Sequence, residues 1–127
     1  MSVTVVDASA VAAVLFDEPE SAPILASVVG RLIAPSLLPY ELASVCTTKL
    51  VRRPREAKII LSRYRLFAEL EVELAEPDWD TLPGLAHEWA LSAYDAAYLQ
   101  LALAQKATLV TLDARLATAY DKVTGKS

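Results

Sequence analysis

Residues 3–15, VTVVDASAVAAVL, open as a β-branched run, stop at Asp7 and continue in small apolar residues. Val3 to Val6 fits a short buried parallel strand, and Ala8 to Phe16 reads as a helix. Residues 108–120, TLVTLDARLATAY, repeat the pattern near the other end of the chain, with Asp113 at the joint. Each aspartate can simply cap its helix, accepting hydrogen bonds from unpaired backbone N–H groups for about 1 kcal/mol. Their shared context adds a second reading. If both strands lie in one parallel sheet, their carboxyl ends face the same edge, where open α/β sheets place binding crevices.

The stretch between these joints alternates helix and strand. DEPES interrupts the first helix, and Glu20 to Val29 predicts a second, with Pro23 in its first turn and Gly30 ending it. RLIAP, 31–35, predicts a second strand. Pro35 and Pro39 bracket a turn, after which YELASVCTTKLVRR predicts a helix running to Pro54. Ile59, Ile60, Tyr64 and Phe67 recur at helical spacing between Arg55 and about Leu70. VELAEP then alternates as an edge strand, and Asp78 or Asp80 is placed to cap a helix into HEWAL. The apolar helix SAYDAAYLQLALAQKA and the strand TLVTL complete the order. This is an α/β chain with a short, mainly parallel sheet flanked by helices.

At 127 residues the chain suits one domain, and its 54% apolar content is enough for one core. The longest charge-free runs, Ser21 to Gly30 and Ala96 to Gln105, are ten residues each, whereas a spanning helix needs about twenty. MSVTVVD lacks the features of a secretory signal, so a cytoplasmic protein with no membrane association is expected. Cys46 is the sole cysteine and His87 the sole histidine. An intrachain disulfide is thereby impossible and the ligands of a usual structural zinc site are missing, so a metal here must be held by oxygen. His87, beside Glu88 and Trp89, reads as a surface or boundary residue. Cys46 reads as a small core residue. Tyr94 and Tyr98, four apart on an apolar helix, read as core or dimer packing. Together with Trp79 and Trp89 they are also aromatic groups on which a base can stack.

Glu41 falls in the first turn of the helix after the second strand, so it projects from the same general edge as Asp7 and Asp113. Asp95 follows a helix and a short loop, and chain order alone does not place it. In sequence, VVDASAVAAVLFDEPES, LLPYELASV, LSAYDAAYLQLALA and LVTLDARL resemble the successive blocks of the PIN-domain ribonucleases, in particular the VapC-type toxins of bacterial toxin–antitoxin pairs. The resemblance spans nearly the whole chain. It implies a single PIN-like domain over residues 1–127, in which Asp7, Glu41, Asp95 and Asp113 converge on a divalent cation, Mg²⁺ or Mn²⁺. It also implies endonucleolytic hydrolysis of RNA, a small antitoxin as partner, and Ser9 and Thr111 beside the carboxylates. Thr111 follows from geometry too, being two residues before Asp113 on the same strand face.

Such a residue set has a physical logic. Two carboxylates about 4 Å apart repel by roughly 4 kcal/mol at an effective dielectric near 20. Either one takes a proton or a hard cation sits among the oxygens. Phosphodiester hydrolysis favours the cation, which can activate water, hold a phosphate oxygen and stabilise the leaving oxygen. One or two metals satisfy this equally.

The net charge of −4 conceals a segregation. Lys49, Arg52, Arg53, Arg55, Lys58, Arg63 and Arg65 are opposed within 49–65 only by Glu56, giving +6 there and −10 elsewhere. These cations can form a solvated helix face, steer RNA towards the acidic site, or meet the antitoxin. Arg115, two residues beyond Asp113, can hold a phosphate or stand in solvent. Two other classes of function compete: a catalytically silent PIN-like binding module, and a receiver-like phosphoacceptor domain. The receiver lacks support in the lone aspartate ending the first strand and in the missing lysine after the last. The resemblance and the apolar composition together lead to an expected homodimer. The ending YDKVTGKS, where the family often has a further strand, is expected to fray from about residue 121.

Overall fold

The computed structural model describes residues 2–125. Among them are four strands, β1 (Val3–Val6), β2 (Arg31–Pro35), β3 (Glu73–Ala75) and β4 (Thr108–Val110). Seven α-helices flank them: α1 (Ala8–Leu15), α2 (Ser21–Ser27), α3 (Leu38–Arg52), α4 (Ala57–Arg65), α5 (Leu82–Glu88), α6 (Ala93–Gln105) and α7 (Ala114–Thr124). The strands form one sheet of order β3-β2-β1-β4, and every pair is parallel. Thr4, Val5 and Val6 are consecutive and all buried. Since neighbouring side chains on a strand point to opposite faces, both faces of β1 are covered. The long apolar helix α6 lies across β1, β2 and β4, and the core is a single cluster containing Val5, Leu38, Leu42, Tyr98, Leu99 and Leu116.

The strand order explains where a site belongs. From β1 the chain builds outward through β2 to β3, then returns past α6 to place β4 on the other side of β1. The direction of winding therefore reverses between β1 and β4. At such a reversal, the connections leaving the carboxyl ends of neighbouring strands diverge and open a crevice. Asp7 and Asp113 are the residues that start the helices after these two strands.

Several boundaries differ from the sequence reading, each for a local reason. Helix α2 ends at Ser27, because Val28 turns extended and Val29 is fixed by the buried Thr4 side chain. Thr4 Oγ1 donates to the Val29 carbonyl at 2.7 Å and accepts from its N–H at 3.0 Å. Gly30 therefore does not end the helix but makes the turn into β2 at φ +69°. The helix expected to reach Leu70 passes into a 3₁₀ turn over Leu66–Leu70 and stops at Glu71, φ +51°. Neither Asp78 nor Asp80 caps α5, whose first flanking residue is Thr81. Asp78 instead accepts from Asp80 N–H at 3.1 Å and Thr81 Oγ1 at 3.0 Å, shaping the preceding turn. Strand β4 stops at Val110 rather than Leu112. At the carboxyl end, residues 121–124 complete α7 and Gly125 closes it in the left-handed region. The last two residues of the expected frayed tail lie outside those described. Among the described residues no helix is long and apolar enough to cross a membrane.

Candidate active site

Asp7 is buried at the end of β1 and does cap α1, its Oδ1 accepting from Ala10 N–H at 3.0 Å. It also binds side chains. Ser9 Oγ donates to the same oxygen at 2.7 Å, and Thr111 Oγ1 donates to Oδ2. Each hydroxyl then accepts from the β4–α7 turn: Ser9 Oγ from Leu112 N–H and Thr111 Oγ1 from Asp113 N–H, both at 2.9 Å. Ser9 and Thr111 thus couple the two strand–helix joints, and the pleat reading that put Thr111 beside Asp113 meets a residue just past the strand, turned onto Asp7. Asp113 caps α7 through Oδ1, which accepts from Leu116 N–H at 3.0 Å. Its Oδ2 takes no hydrogen bond among the described residues.

Glu41 enters from the first turn of α3 and Asp95 from the first turn of α6, which Ser92 caps. Glu41 Oε1 accepts a 2.6 Å hydrogen bond from the Tyr98 hydroxyl, one turn along α6 from Asp95. Burial raises the Glu41 pKa above the usual carboxylate value; the charges of Asp95 and Asp7 add to this, and the Tyr98 bond opposes it. Burial likewise raises that of Asp95, reinforced by Asp113 and Asp7 and partly offset by Ser92 and Arg115. The two shifts therefore register four negative side chains at one edge, including Asp95, which chain order left unplaced. Tyr98, buried and bonded to Glu41, has its own pKa driven far upward and stays a donor. The helical spacing identified it as packing; its hydroxyl's role was hidden because the partner is 57 positions away.

The donor set can be tested against a divalent cation. All four groups are hard oxygen donors, and the negative charges that add to burial in raising Glu41 and Asp95 are what a cation would relieve. Among the described residues, however, no three acidic, histidine or cysteine side chains form a ready-made cage. Mg²⁺ commonly binds through one or two carboxylates and keeps several waters. The residues fit a cation of that kind, with Asp113 Oδ2 and the Asp95 carboxylate the least committed oxygens and Asp7 already holding three donors.

The basic residues divide by position. At 1.5 Å per residue, Lys49 and Arg52 lie about 12 and 17 Å along α3 from Glu41. Lys49 pairs with Glu18 at 3.4 Å and sits over the Phe16 ring, and Arg53 approaches Glu56 at 3.9 Å. Arg55 and Lys58 are exposed beyond them. Arg115, in the first turn of α7, is the cation that acts on an acidic side chain of the site. His87 is exposed and Cys46 buried, as their contexts implied.

The PIN domain family model matches residues 4–122 of this chain. A solved structure, described as the crystal structure of PAE2754 from Pyrobaculum aerophilum, superposes with a TM-score of 0.62 at 24% identity, covering 99% of this chain and 97% of that one. No curated protein sequence matches significantly.

Proposed function

This chain belongs to the PIN-domain family, whose members are in general nucleases, and on that premise we propose that it is a metal-dependent endoribonuclease and the toxin of a toxin–antitoxin pair of the VapC type. The observation that supports it is the gathering of charge at the switch point of the sheet: besides burial, Asp95 and Asp7 raise the Glu41 pKa, and Asp113 and Asp7 raise that of Asp95. Two carboxylates raised by burial and by neighbouring negative charge are a cost that stability alone does not explain.

Mg²⁺ or Mn²⁺, when bound, would supply positive charge to offset that of an RNA phosphate and polarise it. Asp95 and Asp113 would hold that cation, with Asp7 and Glu41 around it. Water adds to phosphorus, the bond to the ribose 3′ oxygen breaks, and the departing oxygen takes up a proton. With its pKa raised above the ordinary carboxylate value, Glu41 is the group suited to accept the proton of the attacking water. Ser9 and Thr111 hold Asp7 in one rotamer, and Tyr98 holds Glu41.

Exposed apolar side chains support partners. Val51, Ile59 and Leu66 project from α3, α4 and the following turn, beside the basic segment; they suit an antitoxin, with Arg52, Arg55 and Lys58 meeting its acidic groups. Tyr94 and Leu112, both exposed near the acidic edge, suit a second copy. Neither a receiver-like domain nor a silent module is favoured by any feature of the site. Incubation of RNA with the protein and Mn²⁺, with and without a chelator, tests the central reading. Chelator-sensitive internal cleavage is expected, and intact RNA under every metal condition would overturn it.

A further inference from the structure

Beside the four carboxylates runs an open groove of about 600 Å³ that none of their roles uses. One wall is α7, with Arg115, Thr118 and Lys122; the other is the corner between α5 and α6, with Trp89 and Ala90. Ala90 turns this corner in the left-handed region, φ +53°. The groove starts at the acidic edge, because Asp113 caps α7 two residues before Arg115 and Asp95 lies in the first turn of α6.

Its lining has a definite chemistry. Arg115, Thr118 and Lys122 follow at i, i+3 and i+7, so they form one stripe along α7, with the two cations about 10 Å apart along the axis. Neither cation is in an ion pair among the described residues. Outside the basic segment the chain carries −10, so two cations outside any ion pair, flanking an aromatic side chain, are a local reversal of charge, with Arg115 also within the field of Asp95. Trp89, half-buried, offers an apolar surface on the opposite wall. Cations for a phosphate backbone and an aromatic face for a base are the two elements of single-strand recognition. In an A-form duplex the base faces are stacked and closed to such a ring.

We propose that this groove holds the single-stranded RNA segment flanking the cleaved phosphate, with Arg115 and Lys122 on phosphates and Trp89 against a base. The assignment to the flanking segment rests on the nuclease reading, whereas binding to the groove can be measured without it. The probe is a labelled single-stranded RNA of about twelve nucleotides, within the usual footprint of such sites, titrated against the full chain in chelator, with a duplex of the same sequence alongside. Arg115→Glu and Lys122→Glu are each expected to weaken single-strand binding on the order of tenfold and to reduce the logarithmic salt slope by about 0.7. Trp89→Ala is expected to cost on the order of tenfold. Should that variant fold poorly, Trp79→Phe leaves Trp89 as the sole indole, and its emission should be quenched by the single strand. Unchanged affinity and salt slope in both charge variants with no quenching, equal binding of the duplex, or loss of binding in Arg52→Glu while Lys122→Glu binds normally would each overturn the proposal. Mn²⁺-dependent cleavage by a protein whose groove variants bind normally would remove the groove and leave the nuclease. Groove-dependent binding without cleavage in any metal would remove the nuclease and leave the groove.

Discussion

Tyr98 and Glu41 meet across the interior of the molecule, the tyrosine hydroxyl donating to Glu41 Oε1 at 2.6 Å. The bond fixes the glutamate at the acidic edge and is the one interaction that opposes the rise in its pKa. Tyr98→Phe removes the donor and keeps the ring in the core. Stability should fall by about 1 kcal/mol, the net worth of such a bond when water can partly replace it, as read from denaturant midpoints. The acidic limb of the cleavage pH profile should move to higher pH, because Glu41 then protonates more readily. A profile that keeps its position while the midpoint falls would reduce Tyr98 to packing alone.

The raised pKa values of Glu41 and Asp95 fix the sign of the metal-free protein's pH response. A group raised in the folded state above its ordinary value, 4.5 for Glu41 and 3.8 for Asp95, contributes stability below that value and loses it as pH rises through the folded pKa. Between the ordinary carboxylate range and neutrality, both therefore increasingly oppose folding. Asp95→Asn should raise the unfolding midpoint at pH 7, by about 1 kcal/mol or less at this partly exposed position, and the gain should vanish near pH 4. Mg²⁺ or Mn²⁺ should stabilise the unmodified chain, by about 2.7 kcal/mol near 100 Kd, and stabilise Asp95→Asn less. Thermal unfolding across pH, with and without the cation, reads all of this.

The joints at Asp7 and Asp113 were legible because strand, acceptor and helix are consecutive in the chain, so local chemistry and topology agree. Glu41 was legible for a similar reason, lying one turn past a strand end. Asp95 was not, since its position depends on how α6 crosses three strands, a matter of packing that no local pattern carries. Tyr98 was half legible: its spacing showed burial, but the bond to Glu41 is a tertiary fact. The basic segment was legible as a charge excess but not as a map: α3 carries Lys49 and Arg52 away from Glu41, α4 folds back against α3 with Arg63 and Arg65, and the cation that acts on Asp95 is Arg115, outside the segment.

Gly30 shows how the edge of the sheet depends on a backbone approach. It adopts φ +69°, and a Cβ there would lie 2.0 Å from the Ser2 carbonyl oxygen, the group that accepts from Arg31 N–H at 3.1 Å. Gly30→Ala must therefore break the first contact between β1 and β2 or distort the turn, costing well over 1 kcal/mol. Gly84→Ala is the control, because a Cβ there meets nothing within 4 Å and the position is in a helix. That variant should be neutral or gain up to about 1 kcal/mol. Chemical denaturation of the pair checks both, and equal midpoints would contradict the close approach.

Asp7→Asn separates the cap from the charge. Asparagine caps a helix about as well as aspartate, so a residue that only capped α1 would tolerate the change. Here both carboxylate oxygens already accept hydroxyl donors, from Ser9 and Thr111, besides the Ala10 N–H. The new amide nitrogen cannot accept, so one hydroxyl must turn and the bridge between the β1–α1 and β4–α7 joints loosens. About 1–2 kcal/mol of stability should go with it. Cleavage should fall by at least about a hundredfold, more than partial unfolding at that cost would explain in a well-folded sample. Ser9→Ala is the companion variant: it keeps the charge, removes one donor, and should lose stability by a similar amount while retaining most of the activity. Equal loss of activity in the two variants would show that the hydroxyl bridge, and not the negative charge of Asp7, is what the reaction requires.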